Sequence, residues 1–250
     1  MPCYAAAVQP ARWAVSAAAT IAACAAHLGC ADLTYDWDDR RVLCSTVVDD
    51  ISNSTPWRLV EDGMIEAEAL RSVLMLHAHA PGVTISIGAI ERLLAMAESY
   101  HLALLTFREL QPGATPRAGL ALAFDDNAID AWFSVRDLLA AHGAHVTFFV
   151  TRWYSRSDAE RGELRMLADA GHDVEPHSVN HLHPGDYVRD HGIDAYLADE
   201  VVPSIQGLTQ AGYPPANTFA FPFGESSDEI TAAVLRIVPR VRVSPGSCPK

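Results

Sequence analysis

From residue 72 onward the chain alternates between two periodicities, and this alternation restricts the fold more than any other feature. Short apolar runs at 72–76, 102–106, 119–124, 145–150, 172–175, 218–221 and 240–243 read as strands. Between most of them, 90–100, 129–141, 159–170, 194–211 and 228–238 place apolar residues at helical spacing. Gly143, Gly171 and Gly212 follow three of these helices, where a left-handed residue closes the last turn. Strands that alternate with helices lie parallel, because each crossover returns the chain to the same end of the sheet. Seven such strands predict an α/β fold of the (β/α)7 type, a distorted barrel with parallel strands, closed or nearly so. A doubly wound open sheet is the alternative.

Composition sets the remaining boundaries. A chain of 250 residues suits a single barrel. The net charge of -13 repels phosphate backbones and argues against nucleic acid as a partner. Residues 1–30 differ from the rest: Arg12 precedes an apolar, small-residue stretch beginning at Trp13, as in a signal peptide for export. Ile21-Ala22-Ala23-Cys24 resembles a lipoprotein cleavage box, and Cys30 offers a weaker one. The expectation is an exported protein, periplasmic, envelope-anchored through lipid, or extracellular. Residues 31–70 are expected to form a peripheral N-terminal extension, and 71–250 the functional domain. None of the five cysteines has zinc-finger spacing, whereas Cys44 and Cys248 can pair in an oxidising compartment.

Three predicted strands end in residues able to do chemistry. The run 119–124 ends at Asp125-Asp126, two adjacent carboxylates that can divide metal binding and proton transfer, or simply begin a solvated turn. The run 172–175 leads to His177 and His181, whose spacing of four brings both imidazoles to one face of a turn, as a shared metal requires. The run 218–221 ends in Pro222-Phe223-Gly224, where glycine permits close backbone approach and the ring can pack on a sugar. Each motif alone reads equally well as a loop. Their common place, at the C-terminal ends of strands, is where α/β folds of both architectures hold their active sites.

Together these motifs resemble the polysaccharide deacetylase family, the NodB-type family 4 carbohydrate esterases. The family's Thr-Phe-Asp-Asp-Gly is matched by Ala123-Phe124-Asp125-Asp126-Asn127, and its His-Ser/Thr-x-x-His by His177 to His181. The likeness extends over about residues 72–245 and includes His145–Val150 in sequence order His-Val-Thr-Phe-Phe-Val. It implies that Asp125 is the general base and that Asp126, His177 and His181 hold one divalent metal ion, Zn2+ first, with Co2+, Ni2+ or Fe2+ as alternatives. It implies that the backbone N–H of Phe223 helps hold the oxyanion. The substrate would be an N-acetylated glycan. The rivals are an amidase or esterase acting on a non-sugar acyl group, and a silent glycan-binding protein with the same fold.

Two departures stand out. The family's third motif carries an arginine that orients the base, and Ala220 occupies that position here. Neither a replacement arginine nor the family's fourth-motif aspartate can be placed from sequence. In the commonest arrangement the acid histidine follows the last strand, but no histidine follows His191. His77 instead ends the run 73–76, an order that resembles the circularly permuted branch acting on poly-N-acetylglucosamine. That likeness assigns His77 as general acid, with His79 as the alternative.

Overall fold

The computed structural model describes residues 33–249. The signal-like segment, with Cys24 and Cys30, lies outside the described residues. Ten strands are present among them: β1 (Thr34–Tyr35), β2 (Val42–Cys44), β3 (Thr46–Val47), β4 (Val73–Ala78), β5 (Ala103–Leu105), β6 (Gly119–Asp126), β7 (Thr147–Val150), β8 (Asp173–Pro176), β9 (Thr218–Ala220) and β10 (Arg240–Val243). The last seven are those the sequence predicts, with bounds shifted by a residue or two. The helices are α1 (Trp57–Leu70), α2 (Ile87–Ser99), α3 (Ile129–Ser134), α4 (Arg136–Ala141), α5 (Asp158–Asp169), α6 (Pro184–His191), α7 (Ile193–Tyr196), α8 (Val202–Gln210) and α9 (Asp228–Val234), with a π-helical segment at Leu197–Val201. Gly143, Gly171 and Gly212 all adopt positive φ, as their place after a helix requires.

The strands form two sheets, β1-β4-β6-β7-β8 and β2-β10-β9, and every pairing is parallel except that of β1 with β4. One short segment joins the sheets. β2 pairs with β10, and after Ser45 the chain continues as β3 and pairs with β4. β5 takes only the first part of one edge of β6, opposite Gly119 to Ala121, and β7 takes the rest of that edge from Ala123 onward. β5 therefore stops short of the rim, and residues 42–47 supply the stave that links the two sheets.

The segment 31–70, expected beside the domain, is thus partly built into it. The reason it escapes a pattern reading is that its apolar run is only a few residues long and is flanked by Asp36, Asp38, Asp39, Arg40 and Arg41. Arg40 bonds both Asp36 and Asp38, while Arg41 donates to the backbone carbonyls of Leu235, Val238 and Pro239. The Cys44–Cys248 disulfide then ties β2 to the chain just beyond β10.

On the opposite side β8 and β9 lie adjacent without a ladder. Side chains bridge the split. The buried Glu175 carboxylate accepts the backbone N–H of Asn217 at 2.9 Å and of Thr218 at 3.3 Å. Arg108 offsets the charge by pairing with Glu175 at 2.6 Å and with Asp173 at 2.8 Å.

The alternation along β6 sorts the core into two layers. Leu120, Leu122 and Phe124 face the helices, packed with Trp132 and Phe148. Ala121 and Ala123 face the barrel interior with Met75, Phe149 and Ala220, and their small size leaves room for polar groups above them. No helix among the described residues is long and apolar enough to cross a membrane.

Candidate active site

β6 delivers its two aspartates in different directions. Asp125 continues the interior face and is buried, whereas Asp126 turns out at φ 84°, a left-handed conformation rare for any residue but glycine. There Asp126 Oδ1 lies 3.1 Å from His181 Nε2 and 3.6 Å from His177 Nε2. The three ligand-type atoms all fall within 4.8 Å of one another. Burial alone would raise the Asp126 carboxyl, but the two imidazoles facing it outweigh that and hold it far below the ordinary carboxylate range.

The donor set fits a divalent ion. Asp126 Oδ1 is buried without a hydrogen-bond partner, as expected of an oxygen that serves a cation. His177 Nδ1 is engaged by the carbonyl of Ala220 at 2.9 Å, which leaves Nε2 for coordination. Two imidazoles and one carboxylate suit Zn2+ and its first-row neighbours, with positions left open for water and substrate.

Asp125 has the surroundings a general base needs. Its Oδ2 accepts from Arg242 Nη2, and its Oδ1 is buried with no partner. Burial would raise this carboxyl, but the Arg242 charge and then His77 outweigh it and keep the group below its usual range. Arg242 lies opposite Ala220 in the β9–β10 ladder. The arginine missing from position 220 is therefore replaced from the neighbouring strand, across a side chain small enough to let it pass. One signal could have revealed it: Arg240 and Arg242 alternate with valines on a strand whose four residues are all buried.

Both β4 histidines stand on the same rim as Asp125. His77 pairs in register with Ala123, two residues before the base, and its Nδ1 lies 2.8 Å from Ser45 Oγ. Burial, and then the Arg242 charge, lower His77 to about 3. His79 is in a different state. Its Nδ1 meets Asp49 Oδ2 at 2.5 Å, and Asp49 also accepts the His79 backbone N–H and the Thr84 hydroxyl. Burial opposes the charge on His79, but the Asp49 hydrogen bond, with the charges of Asp125, Asp49 and Asp126, raises it to about 9. Asp49 follows β3, so it stands at a strand end like the other site residues. The same rule would have found it had β3 been recognised. Its neighbour Asp50 accepts from the backbone and side chain of Ser86, the residue that caps α2, and so holds the loops after β3 and β4 together.

Pro222-Phe223-Gly224 closes the third side, directly after β9. Phe223 and Gly224 both have positive φ, at 57° and 64°. A side chain at 224 would strike Ser244, since its Cβ would fall 1.9 Å from Oγ, so glycine is required there. The Phe223 ring is 47% exposed, stacks flat on His183 at 3.6 Å and meets His181 edge-on at 4.5 Å. It offers an apolar wall beside the Asp126–His181 pair.

Comparisons with known proteins bear on the family and the fold. The polysaccharide deacetylase family profile matches residues 113–237, half of the chain. Among solved structures, the Streptococcus pyogenes deacetylase PplD in complex with acetate is 16% identical, with a TM-score of 0.51 over 69% of this chain and 92% of that one. A de-N-acetylase from Aggregatibacter actinomycetemcomitans is 11% identical, with a TM-score of 0.54 over 66% of this chain and 85% of that one. A polysaccharide deacetylase from Bacillus cereus is 17% identical, with a TM-score of 0.53 over 68% of this chain and 57% of that one. These likenesses establish the fold. No curated protein matches the sequence.

Proposed function

The chain belongs to the polysaccharide deacetylase family, and from that premise we propose that it removes N-acetyl groups from an amino-sugar polysaccharide or oligosaccharide, using one divalent ion held by Asp126, His177 and His181. The observation that carries this reading is the division of labour between adjacent carboxylates. Asp126 presents a partnerless oxygen to two imidazoles, while Asp125 is held ionised by Arg242 with Oδ1 free. Bound at this site, Zn2+ supplies Lewis-acid polarisation of the acyl carbonyl and acidifies water.

The chain's own residues supply the rest. Asp125 Oδ1 takes the proton from water as it attacks the carbonyl carbon. The Arg242 ion pair fixes the carboxylate's orientation and keeps it unprotonated. The Phe223 backbone N–H helps hold the developing oxyanion, with Pro222 and Gly224 fixing its left-handed turn. The Phe223 ring and His183 flank the sugar.

The leaving amine needs a proton, and β4 offers two sources. His77 is the first reading, because it lies near the end of the strand beside the base and is oriented by Ser45. It is neutral at rest, so it would act after accepting a proton during the reaction. The second reading is His79, favoured by a specific observation: paired with Asp49 and partly exposed, it holds its own proton at neutral pH. The order acid, base, metal ligands along the chain supports membership of the permuted branch.

Arg242 weakens the case for a silent glycan-binding protein, since binding alone does not call for an oriented, ionised base. Acetate release from a panel of N-acetylated glycans and non-sugar amides tests the reading. Release from glycans supports it, release only from non-sugar amides favours the amidase, and binding without release favours the silent protein. The Cys44–Cys248 disulfide supports residence in an oxidising compartment, as export and a lipid anchor at Cys24 or Cys30 would give. An intact Met1 on protein from its native host would reject the signal peptide.

A further inference from the structure

Glu200 is fully buried, and nothing in the chemistry above uses it. Its carboxylate is filled by three N–H groups from one loop. One oxygen accepts the backbone N–H of Val179 at 3.1 Å and of Asn180 at 2.8 Å, and the other accepts Asn180 Nδ2 at 2.6 Å. Val179 and Asn180 lie between the two histidine ligands. The loop they belong to is strained, with Ser178 at φ 65° and His181 at φ 60°. Positive φ at non-glycine residues is strained, so such a loop persists only where its surroundings dictate it.

The two histidines depend on that loop unequally. His177 is fixed independently, by its backbone N–H to Val150 O at 3.0 Å and by its ring to Ala220 O at 2.9 Å. His181 is anchored through its backbone, which donates to Ser178 Oγ at 3.0 Å, and its ring meets His177, Phe223 and Asp126. The position of His181 thus follows the position of 179–180. The opposite side of the Val179 peptide is held as well, since its carbonyl accepts the Arg152 N–H at 3.0 Å. Glu200 itself sits in the π-helical segment Leu197–Val201, where one extra residue per turn brings Glu200 and Val201 together into the interior. Such expansions recur at functional sites.

We propose that Glu200 is the positioning residue of the cation site: it locks the loop that sets His181 against Asp126 and His177. This rests on the metal-binding reading above. The test compares Zn2+ affinity of the full-length wild type, E200A and E200Q by chelator competition, with thermal melting of the metal-free proteins and visible absorption of the Co2+ forms. Glutamine can still accept both backbone N–H groups, and Asn180 can turn its carbonyl toward the new amide, so E200Q separates geometry from charge. E200A is expected to bind Zn2+ about 10- to 100-fold more weakly with an altered Co2+ spectrum, while E200Q stays close to wild type. Should E200A fail to fold, N180D sets two carboxylates together and must weaken Zn2+ binding, and the combined E200Q/N180D protein must regain it. Wild-type affinity and spectrum in E200A, or in N180D, overturn the proposal. So does E200Q falling as far as E200A. A wild type that binds no Zn2+ overturns the metal reading and this one with it.

Discussion

The rim has two halves that are encoded differently. Asp125, Asp126, His177, His181 and Phe223 all lie within 113–237, the stretch that matches the family profile. Ser45, Asp49, His77, His79 and Arg242 lie outside it, on both flanks. In the proposed reading, the first half holds the cation and the attacking side of the reaction from motifs a few residues long. In the same reading the second sets the charge of the base and carries the proton donors, and it is assembled from three distant segments. A metal site needs several ligands on one ion, which short spacings within a loop can satisfy. A tuned proton group needs only one neighbour of suitable charge, and that neighbour can come from anywhere in the fold.

The largest effect is expected within the first half. Asp125→Asn should retain the metal and lower turnover by a factor of about 10² to 10⁴, the usual size of general-base catalysis. Metal content and acetate release on one preparation check this. Full activity would move the base elsewhere and dissolve the division between Asp125 and Asp126.

Next comes the contact between the halves. Arg242→Met leaves Asp125 buried and unpaired, which typically costs about 3–5 kcal/mol of stability. Asp125 should then take up a proton more readily, so the acid limb of the rate profile should move to higher pH. Urea unfolding and a pH–rate series measure the two effects. An unchanged acid limb would mean that Arg242 does not govern the base.

A smaller effect separates the two donors. His79 is raised to about 9, so its proton is lost as pH rises through that value. If His79 donates, wild-type activity falls near pH 9, and Asp49→Asn moves that fall toward the ordinary histidine value of about 6.5. The Asp49–His79 pair also contributes stability that is complete below about 6.5 and fades as pH rises to about 9. If His77 donates, Asp49→Asn leaves the alkaline limb in place. Ser45→Ala removes one hydrogen bond to His77 and should cost about 0.5–1.5 kcal/mol of stability. A turnover loss in that variant far exceeding its stability loss would favour His77.

Legibility followed the same line. The seven later strands were readable because most are apolar runs separated by helices of clear period. The candidate metal-ligand cluster was readable because its residues stand at or just after the ends of those strands. Residues 42–47 were not, since a three-residue strand among aspartates and arginines has no periodicity to detect. Missing that stave hid Ser45 and Asp49. Arg242 carried one local signal, its alternation with valines beside Arg240, but its partner depends on lying opposite Ala220, a fact of register. Glu200 reaches Val179 and Asn180 through a π-helical segment, which sequence spacing does not announce.

The most direct test of the account is acetate release from an N-acetylglucosamine oligomer by one preparation, measured as purified, after chelation and after Zn2+ is restored, with Asp126→Ala carried alongside. The account predicts release that chelation abolishes and Zn2+ restores, and an Asp126→Ala protein that neither retains metal nor responds to it. Release that survives chelation, or an Asp126→Ala protein that binds Zn2+ and deacetylates like wild type, would contradict it.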